Sequence, residues 1–281
     1  MGFKEGLQLV RPTNCVMIGF AVIVGFLVSK PAELNAAQII LGFLTGSFIC
    51  AYSMSVNDIY DVEVDKVNQP ERPIPSGRIS LQTAVRVSLL VLAAGVAASV
   101  LSLKPAAIGI ALFYALLSWL YNHRAKQTGL PGNLIVASSL AIPFIYGGVV
   151  SGGSLTRSIL LMMAVTSFFS GVGREIVKAM ADVEGDAKRG VNSLARSNGL
   201  RTASLTGALF FLLAVVASWF PLLLGLANKF YTFGVIAPDA VFVYLAFSIV
   251  AGHDPSNAHR VKQIALAGMA VGLVVFVGGA F

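Results

Sequence analysis

The stretch QIILGFLTGSFICAYSMSV, residues 38–56, runs directly into NDIYDVEVD, residues 57–65. The first part has the length and apolarity of a helix that crosses a bilayer, which needs roughly 20 such residues. The second part places Asp58, Asp61, Glu63 and Asp65 at the end of that helix. A second cluster, Asp182-Val183-Glu184-Gly185-Asp186, follows another apolar run. With Glu71 and Glu175 the two clusters hold nine of the 13 acidic residues. Negative charge is costly near lipid, so its concentration at two helix ends calls for a ligand.

The rest of the chain extends this reading. Hydrophobic residues make up 56% of the 281 and charged residues 12%, about half the share of a soluble domain. Apolar runs recur near Thr13–Val28, Gln38–Val56, Thr83–Leu103, Ala106–Tyr121, Leu134–Val150, Ser158–Ala181, Ala203–Leu226, Phe233–Val250 and Ile264–Phe281. The expected fold is an all-α membrane protein, a bundle of about nine transmembrane helices. Short loops leave no room for a soluble domain, so residues 1–281 are expected to form a single integral membrane domain. Lys4 and Arg11 precede the first run without a small-residue cleavage pattern, so that run reads as a retained helix. Cys15 and Cys50 fall inside spans and imply no disulfide framework. Gly42-x-x-x-Gly46, Gly147-Gly148 and Gly152-Gly153 read as places where helices approach closely.

Charge orients the bundle. The N-terminus and the loops after the second, fourth, sixth and eighth spans carry Lys4, Arg11, Lys66, Arg72, Arg78, Arg124, Lys126, Lys188, Arg189, Arg196, Arg201, Arg260 and Lys262. The opposite loops carry Lys30, Lys104, Arg157 and Lys229. Thirteen against four places the first set in the cytoplasm and the C-terminus outside. Both acidic clusters then face the cytoplasm, under a cap formed by those four loops. The formal charge of +7 is spread between spans, which fits a membrane surface and anionic ligands and not nucleic acid.

Asp58, Asp61 and Asp65 recur at three and four residues and share a face if the helix continues past the membrane. Asn57 borders that face. Arg174, Lys178, Asp182 and Asp186 step by four, giving two cations and then two carboxylates on one stripe. Carboxylates at helix C-termini oppose the dipole, and like charges one turn apart repel, so a cation is needed to hold them together. Magnesium fits, because it takes oxygen ligands and bridges carboxylates to substrate phosphates. The spacing is not that of an EF-hand, and His123, His253 and His259 form no ligand-spaced set for zinc. Three prolines between Pro70 and Pro75 stiffen the following segment, which would carry Arg72 toward a phosphate as a lid. Arg78 and Lys126 read equally as phosphate ligands or as ordinary cytoplasmic basic residues. Asn133 reads as a helix N-cap or a polar site residue, with the cap favoured. His253 and Asp254 are minor candidates for the acceptor.

These motifs, Asn57-Asp58-x-x-Asp61-x-x-x-Asp65, Arg72-Pro73-Ile74-Pro75-Ser76-Gly77-Arg78 and Asp182-x-x-x-Asp186, resemble those of the UbiA-type intramembrane prenyltransferases over essentially the whole chain. Arg11-Pro12-x-Asn14 and Gly173-Arg174-Glu175-Ile176-Val177-Lys178 look like the archaeal, ether-lipid-building branch. The resemblance implies magnesium held by Asp58, Asp61, Asp65, Asp182 and Asp186, with Asp58, Asp61, Asp182 and Asp186 essential to catalysis. It implies substrate binding by Asn14, Asn57, Arg72, Lys126, Arg174 and Lys178. The implied reaction moves a geranylgeranyl group from its diphosphate to the sn-2 hydroxyl of geranylgeranylglyceryl phosphate. Prenylation of a quinone precursor or a chlorophyllide is the alternative within the family. A divalent-cation transporter is the alternative outside it, and it would place acids near the bilayer midplane rather than at one mouth. The partners expected are the isoprenyl diphosphate, the lipid phosphate and membrane lipids, with no obligate protein partner.

Overall fold

The computed structural model describes residues 3–156, 158–188 and 190–281, without the side chains of Phe3, Asn68 and Lys188. Arg157, Arg189 and the side chain of Lys188, counted above among the loop cations, therefore lie outside the described residues. Among the described residues the chain is all helix and turn, with no strand. The helices are α1 (Phe3–Val10), α2 (Pro12–Val28), α3 (Ala36–Tyr60), α4 (Val62–Asn68), α5 (Leu81–Leu101), α6 (Pro105–His123) and α7 (Leu130–Ser151). They continue with α8 (Leu160–Ala181), α9 (Val183–Lys188), α10 (Leu194–Ser197), α11 (Gly199–Leu223), α12 (Lys229–Gly234), α13 (Ile236–Ala251) and α14 (Pro255–Ala280). Among the described residues, eight spans are long and apolar enough to cross a membrane: α3, α5, α6, α7, α8, α11, the segment Lys229–Ala251 and α14. The first expected span is instead a pair, Lys4–Val10 and Pro12–Val28, bent by 50°, and it brings the number to nine. The bend has a local cause. Pro12 disfavours helical geometry at the residue before it, and Arg11 takes φ 51° there.

Large apolar side chains such as Leu90 (69% exposed) and Phe247 (71% exposed) stand on the outside of the helices. Lipid solvates such groups as well as protein does, so close packing and internal hydrogen bonds hold the helices together.

Two compact units form. The first contains residues up to 27, residues 31–124 and residues 146–153. Its helices start at side-chain caps: Asn35 accepts from the Gln38 N–H at 3.1 Å and Ser80 from the Thr83 N–H at 3.2 Å. The short connection ending in Lys104-Pro105 turns α5 into α6, as the proline at a helix start suggests. Tyr146 on α7 donates to Ser99 Oγ on α5 at 3.0 Å, and α7 crosses α2 at Gly147.

The second unit contains residues 28–30, residues 125–145 and those from 154 onward. Its core joins Val172, Ile176 and Met180 of α8 to Phe211 of α11, Leu245 and Ile249 of α13, and Val261 of α14. Ser218 on α11 lies 2.9 Å from both carboxylate oxygens of buried Asp239 on α13. The last helix begins well before the apolar run that marks it, because Asp254 caps it by accepting from the Asn257 N–H at 3.0 Å. That bond holds the Asp254 carboxyl below the usual range. Asp254 is thus a helix cap, and the expectation of an acceptor role for it has no support here.

Candidate active site

The carboxylates of the first cluster do not sit on one continuous helix. α3 ends at Tyr60, and Asp61 (φ −89°, ψ 4°) joins it to α4. The backbone still steps by four across the joint, with Asp61 N–H bonded to Asn57 O at 3.0 Å and Asp65 N–H to Asp61 O at 2.8 Å. Asp65 and Glu63 consequently lie in the first turn of a new helix, where the dipole favours them. Of this cluster only Asp58 lies within the last turn of its helix, so the dipole cost expected for the whole cluster falls chiefly on it.

Asp58 is 3% exposed and Asp65 4% exposed, and both are met by guanidinium groups. Arg11 donates to Asp58. Arg72 donates to Asp65 and lies 3.4 Å from the same Asp58 oxygen that Arg11 reaches. Asn57 donates to Asn122 at 2.9 Å, and Asn122 in turn donates to the Ser118 carbonyl at 2.9 Å. Arg11 Nη1 and Asn14 Nδ2 both approach the Met54 sulfur, at 3.7 and 3.8 Å. The loop after α4 is built to deliver Arg72. Ile74 and Ile79 pack with Leu9 and Ala84 beneath it, and Ser76 donates to the Arg72 carbonyl at 2.7 Å. Arg78 bonds Gln8 at 3.0 Å, Ser76 and the Glu71 carbonyl, so it fastens this loop, a role that neither of its two sequence readings included.

Among the described residues, Arg72 is the side chain that joins Asp58 to Asp65. Breaking a buried ion pair from one side typically costs about 3 kcal/mol or more. Arg72→Ala is expected to lower stability by about that amount, read by unfolding in detergent micelles. A loss below about 0.5 kcal/mol would show that the pairing contributes as little as a surface ion pair.

The second cluster has the same local form. α8 ends at Ala181, Asp182 (φ −117°, ψ 29°) makes the joint, and α9 carries Glu184 and Asp186 in its first turn. Asp186 N–H bonds Asp182 O at 2.8 Å; Asp186 is buried and Asp182 exposed. The stripe of two cations and two carboxylates is altered, because Glu175 takes both cations. Its Oε1 is 3.0 Å from Arg174 and its Oε2 is 3.0 Å from Lys178. Lys126 sits in the turn Ala125–Gln127, which is fastened to the segment after α9. The Asn192 N–H bonds the Gln127 carbonyl and the Val191 N–H bonds the Asp186 carbonyl, each at 3.0 Å. Gly129 completes the fastening: it takes φ 71°, and a Cβ there would fall 2.2 Å from Asn192 O. Asn133 is not the cap it was expected to be. Its N–H bonds Gly129 O at 3.0 Å, which places it inside the first turn of α7.

Arg11, Glu175 and Asn122 are thus partners that the site residues did not include. Arg11 carried a signal, since it stands before Pro12. Glu175 carried one too, lying one residue from Arg174 and three from Lys178. Asn122 is uncharged and part of no spacing pattern, and nothing in the sequence singles it out.

Among the described residues, no three of His, Cys, Asp and Glu are grouped as metal ligands. Magnesium does not require such a group, because it commonly binds one or two carboxylates together with substrate phosphates. Asp58 and Asp65, buried and gathered on one guanidinium, supply that kind of oxygen pair. These residues suit an ion that arrives with phosphate, not a closed metal cage.

Apolar spans with one carboxylate cluster at the end of α3 and another at the end of α8 are the pattern of an intramembrane enzyme. Residues 18–272 match the model of the UbiA prenyltransferase family, and the chain belongs to that family. It is an integral, multi-pass membrane protein. It is similar to the digeranylgeranylglyceryl phosphate synthase of Archaeoglobus fulgidus, with 36% identity over 98% of this chain and 94% of that protein. The synthase of the same name from Thermococcus gammatolerans is 32% identical over 98% of each chain. Among solved structures, a digeranylgeranylglyceryl phosphate synthase in membranes aligns with a TM-score of 0.89 at 32% identity, covering 99% of this chain and 98% of that one. A UbiA homolog from Archaeoglobus fulgidus bound to GPP and Mg2+ shares the fold, with a TM-score of 0.71 at 19% identity over 97% of this chain and 99% of that one.

Proposed function

We propose that this chain, acting as one membrane domain, transfers a geranylgeranyl group from geranylgeranyl diphosphate to the sn-2 hydroxyl of geranylgeranylglyceryl phosphate. The observation that carries the reading is 36% identity, over nearly the full length of both proteins, to a synthase of that name. The buried Asp58–Arg72–Asp65 group supports it, as an arrangement suited to a metal-bound diphosphate.

In this reading Asp58, Asp61, Asp65, Asp182 and Asp186 hold magnesium. When bound, magnesium neutralises the departing pyrophosphate. The residues of the chain do the rest. Asn57, oriented by Asn122, offers a neutral oxygen or amide at the same place. Arg72, Lys126, Arg174 and Lys178 balance the leaving-group charge, and Asn14 lies beside Arg11 for substrate contact. The allylic C–O bond breaks with its electron pair on pyrophosphate, and the acceptor hydroxyl oxygen forms the new C–O bond. The overall reaction releases pyrophosphate and one proton. Phe and Leu side chains receive the lipid tails and keep water from the allylic cation. The excess of basic residues on the cluster-bearing loops supports a cytoplasmic mouth and N-terminus.

The test is a purified-protein assay with labelled geranylgeranyl diphosphate, geranylgeranylglyceryl phosphate and magnesium. A lipid with two chains and free pyrophosphate are expected. Excess chelator is expected to stop the reaction and added magnesium to restore it. Transfer to an aromatic acid alone would overturn the acceptor, and full turnover in chelator would overturn the metal.

A further inference from the structure

α7 and α8 meet where Ala137 faces Gly171: a Cβ on Gly171 would lie 3.3 Å from that of Ala137 and 3.1 Å from Leu140 Cδ1. The helices run in opposite directions. The fastening of Gln127 and Gly129 to Asn192, and of Val191 to Asp186, brings the start of α7 to the end of α8. Asn133 lies four residues before Ala137 and Arg174 three residues after Gly171, so each keeps to the face that meets the other helix. At about 1.5 Å per residue, both stand roughly one turn from the crossing, on the side of the acidic cluster.

Both residues hold a buried donor with nothing to donate to. Asn133 Nδ2 and Arg174 Nε have no hydrogen-bond partner among the described residues. Arg174 spends Nη1 on Glu175, which leaves its Nε edge available. Buried donors are almost always paired, so these two, one neutral and one cationic, call for an oxygen acceptor. We propose that Asn133 and the Nε edge of Arg174 bind a phosphoryl oxygen of a substrate. This rests on the reaction proposed above, which offers two such groups: the diphosphate of the donor and the phosphate of the acceptor. Asn133 is then a substrate-binding residue and not the helix cap its sequence position suggests.

Detergent-solubilised full-length protein is titrated with magnesium pyrophosphate and, separately, with sn-glycerol 1-phosphate. KM for each lipid substrate is measured alongside. Asn133→Ala is expected to weaken binding of one probe about tenfold and to raise the matching KM, with kcat and thermal midpoint nearly unchanged. Asn133→Asp, which adds a negative charge, is expected to weaken the same probe further. Arg174→Lys, which keeps the charge and loses Nε, is expected to act in the same direction. An effect on pyrophosphate assigns the donor, and an effect on glycerol phosphate assigns the acceptor. Should the alanine variant not accumulate, Asn133→Ser gives the same reading with a shorter donor. Unchanged affinity for both probes overturns the proposal. So does a fall in thermal midpoint with both affinities intact, or a wild-type protein that binds neither probe. Ether-lipid synthesis by Asn133→Ala with both KM values unchanged removes this inference and keeps the reaction. Asn133-dependent binding of pyrophosphate without ether-lipid synthesis does the reverse.

Discussion

Asp58→Asn is expected to lower prenyl transfer by at least about a hundredfold, the usual scale for removing one group that stabilises developing charge. The substitution preserves size and removes the negative charge. Asp58 is 3% exposed, and its carboxylate receives Arg11 and lies 3.4 Å from Arg72. An amide cannot balance those two guanidinium groups, nor can it bind magnesium as a carboxylate does. Stability is expected to change far less than activity. The variant escapes the cost of burying a carboxylate, which partly offsets the lost pairing. Asp182→Asn is expected to reduce turnover to a similar degree. Asp182 is exposed and sits at a helix joint, so this change is expected to alter stability far less than activity. Product formation at saturating magnesium, measured beside the unfolding midpoint, separates these effects. Turnover within about threefold of wild type in either variant would remove that carboxylate from the magnesium set, since even one uncharged oxyanion donor is worth more.

The spacing of the aspartates was legible because a backbone step of four survives the joints at Asp61 and Asp182. The joints themselves were not. Asp61 is followed by Val-Glu-Val-Asp, which contains neither glycine nor proline to mark a break. The assignment of every carboxylate to a helix C-terminus failed for that reason, and Asp65 and Asp186 instead gain from the dipoles of α4 and α9. Hydropathy located the spans and shortened some of them. The last was read from Ile264, yet α14 starts at Pro255, because Asn257, His259, Arg260, Lys262 and Gln263 dilute the apolar signal. The Asp254-Pro255 pair was the better marker, a cap followed by a proline in the first turn. Charge pairing was the least legible feature. Arg174 and Lys178 seemed committed to the stripe of Asp182 and Asp186, and only the folded helix end shows that Glu175 holds both.

Gly147→Ala on α7 is expected to be strongly destabilising. Its Cβ would fall 2.0 Å from the Val22 carbonyl oxygen, 2.6 Å from the Phe26 nitrogen and 3.0 Å from the Gly25 carbonyl carbon. All three are backbone atoms of α2, so no side-chain rotation relieves the overlap, and the two helices must separate. Separation disturbs the cluster in which Val22 and Phe26 pack with Tyr146 and Val150. Lipid offers those groups no hydrophobic penalty that would drive them back together, because close packing is what joins them. The expected cost is about 3 kcal/mol, the upper end for over-packing, because the usual relief through rotamer change is absent. Gly19 provides the contrast. A Cβ there meets Ser47 Oγ at 2.5 Å and the Phe43 ring at 2.6 Å, which are side chains able to turn aside, so Gly19→Ala is expected to cost less. Gly109 on α6 has nothing within 4 Å, and Gly109→Ala is expected to be neutral or to stabilise by up to about 1 kcal/mol through helix propensity. Thermal unfolding of the three variants in one detergent orders them directly. A midpoint for Gly147→Ala as high as that for Gly109→Ala would mean that α2 and α7 do not cross at backbone contact.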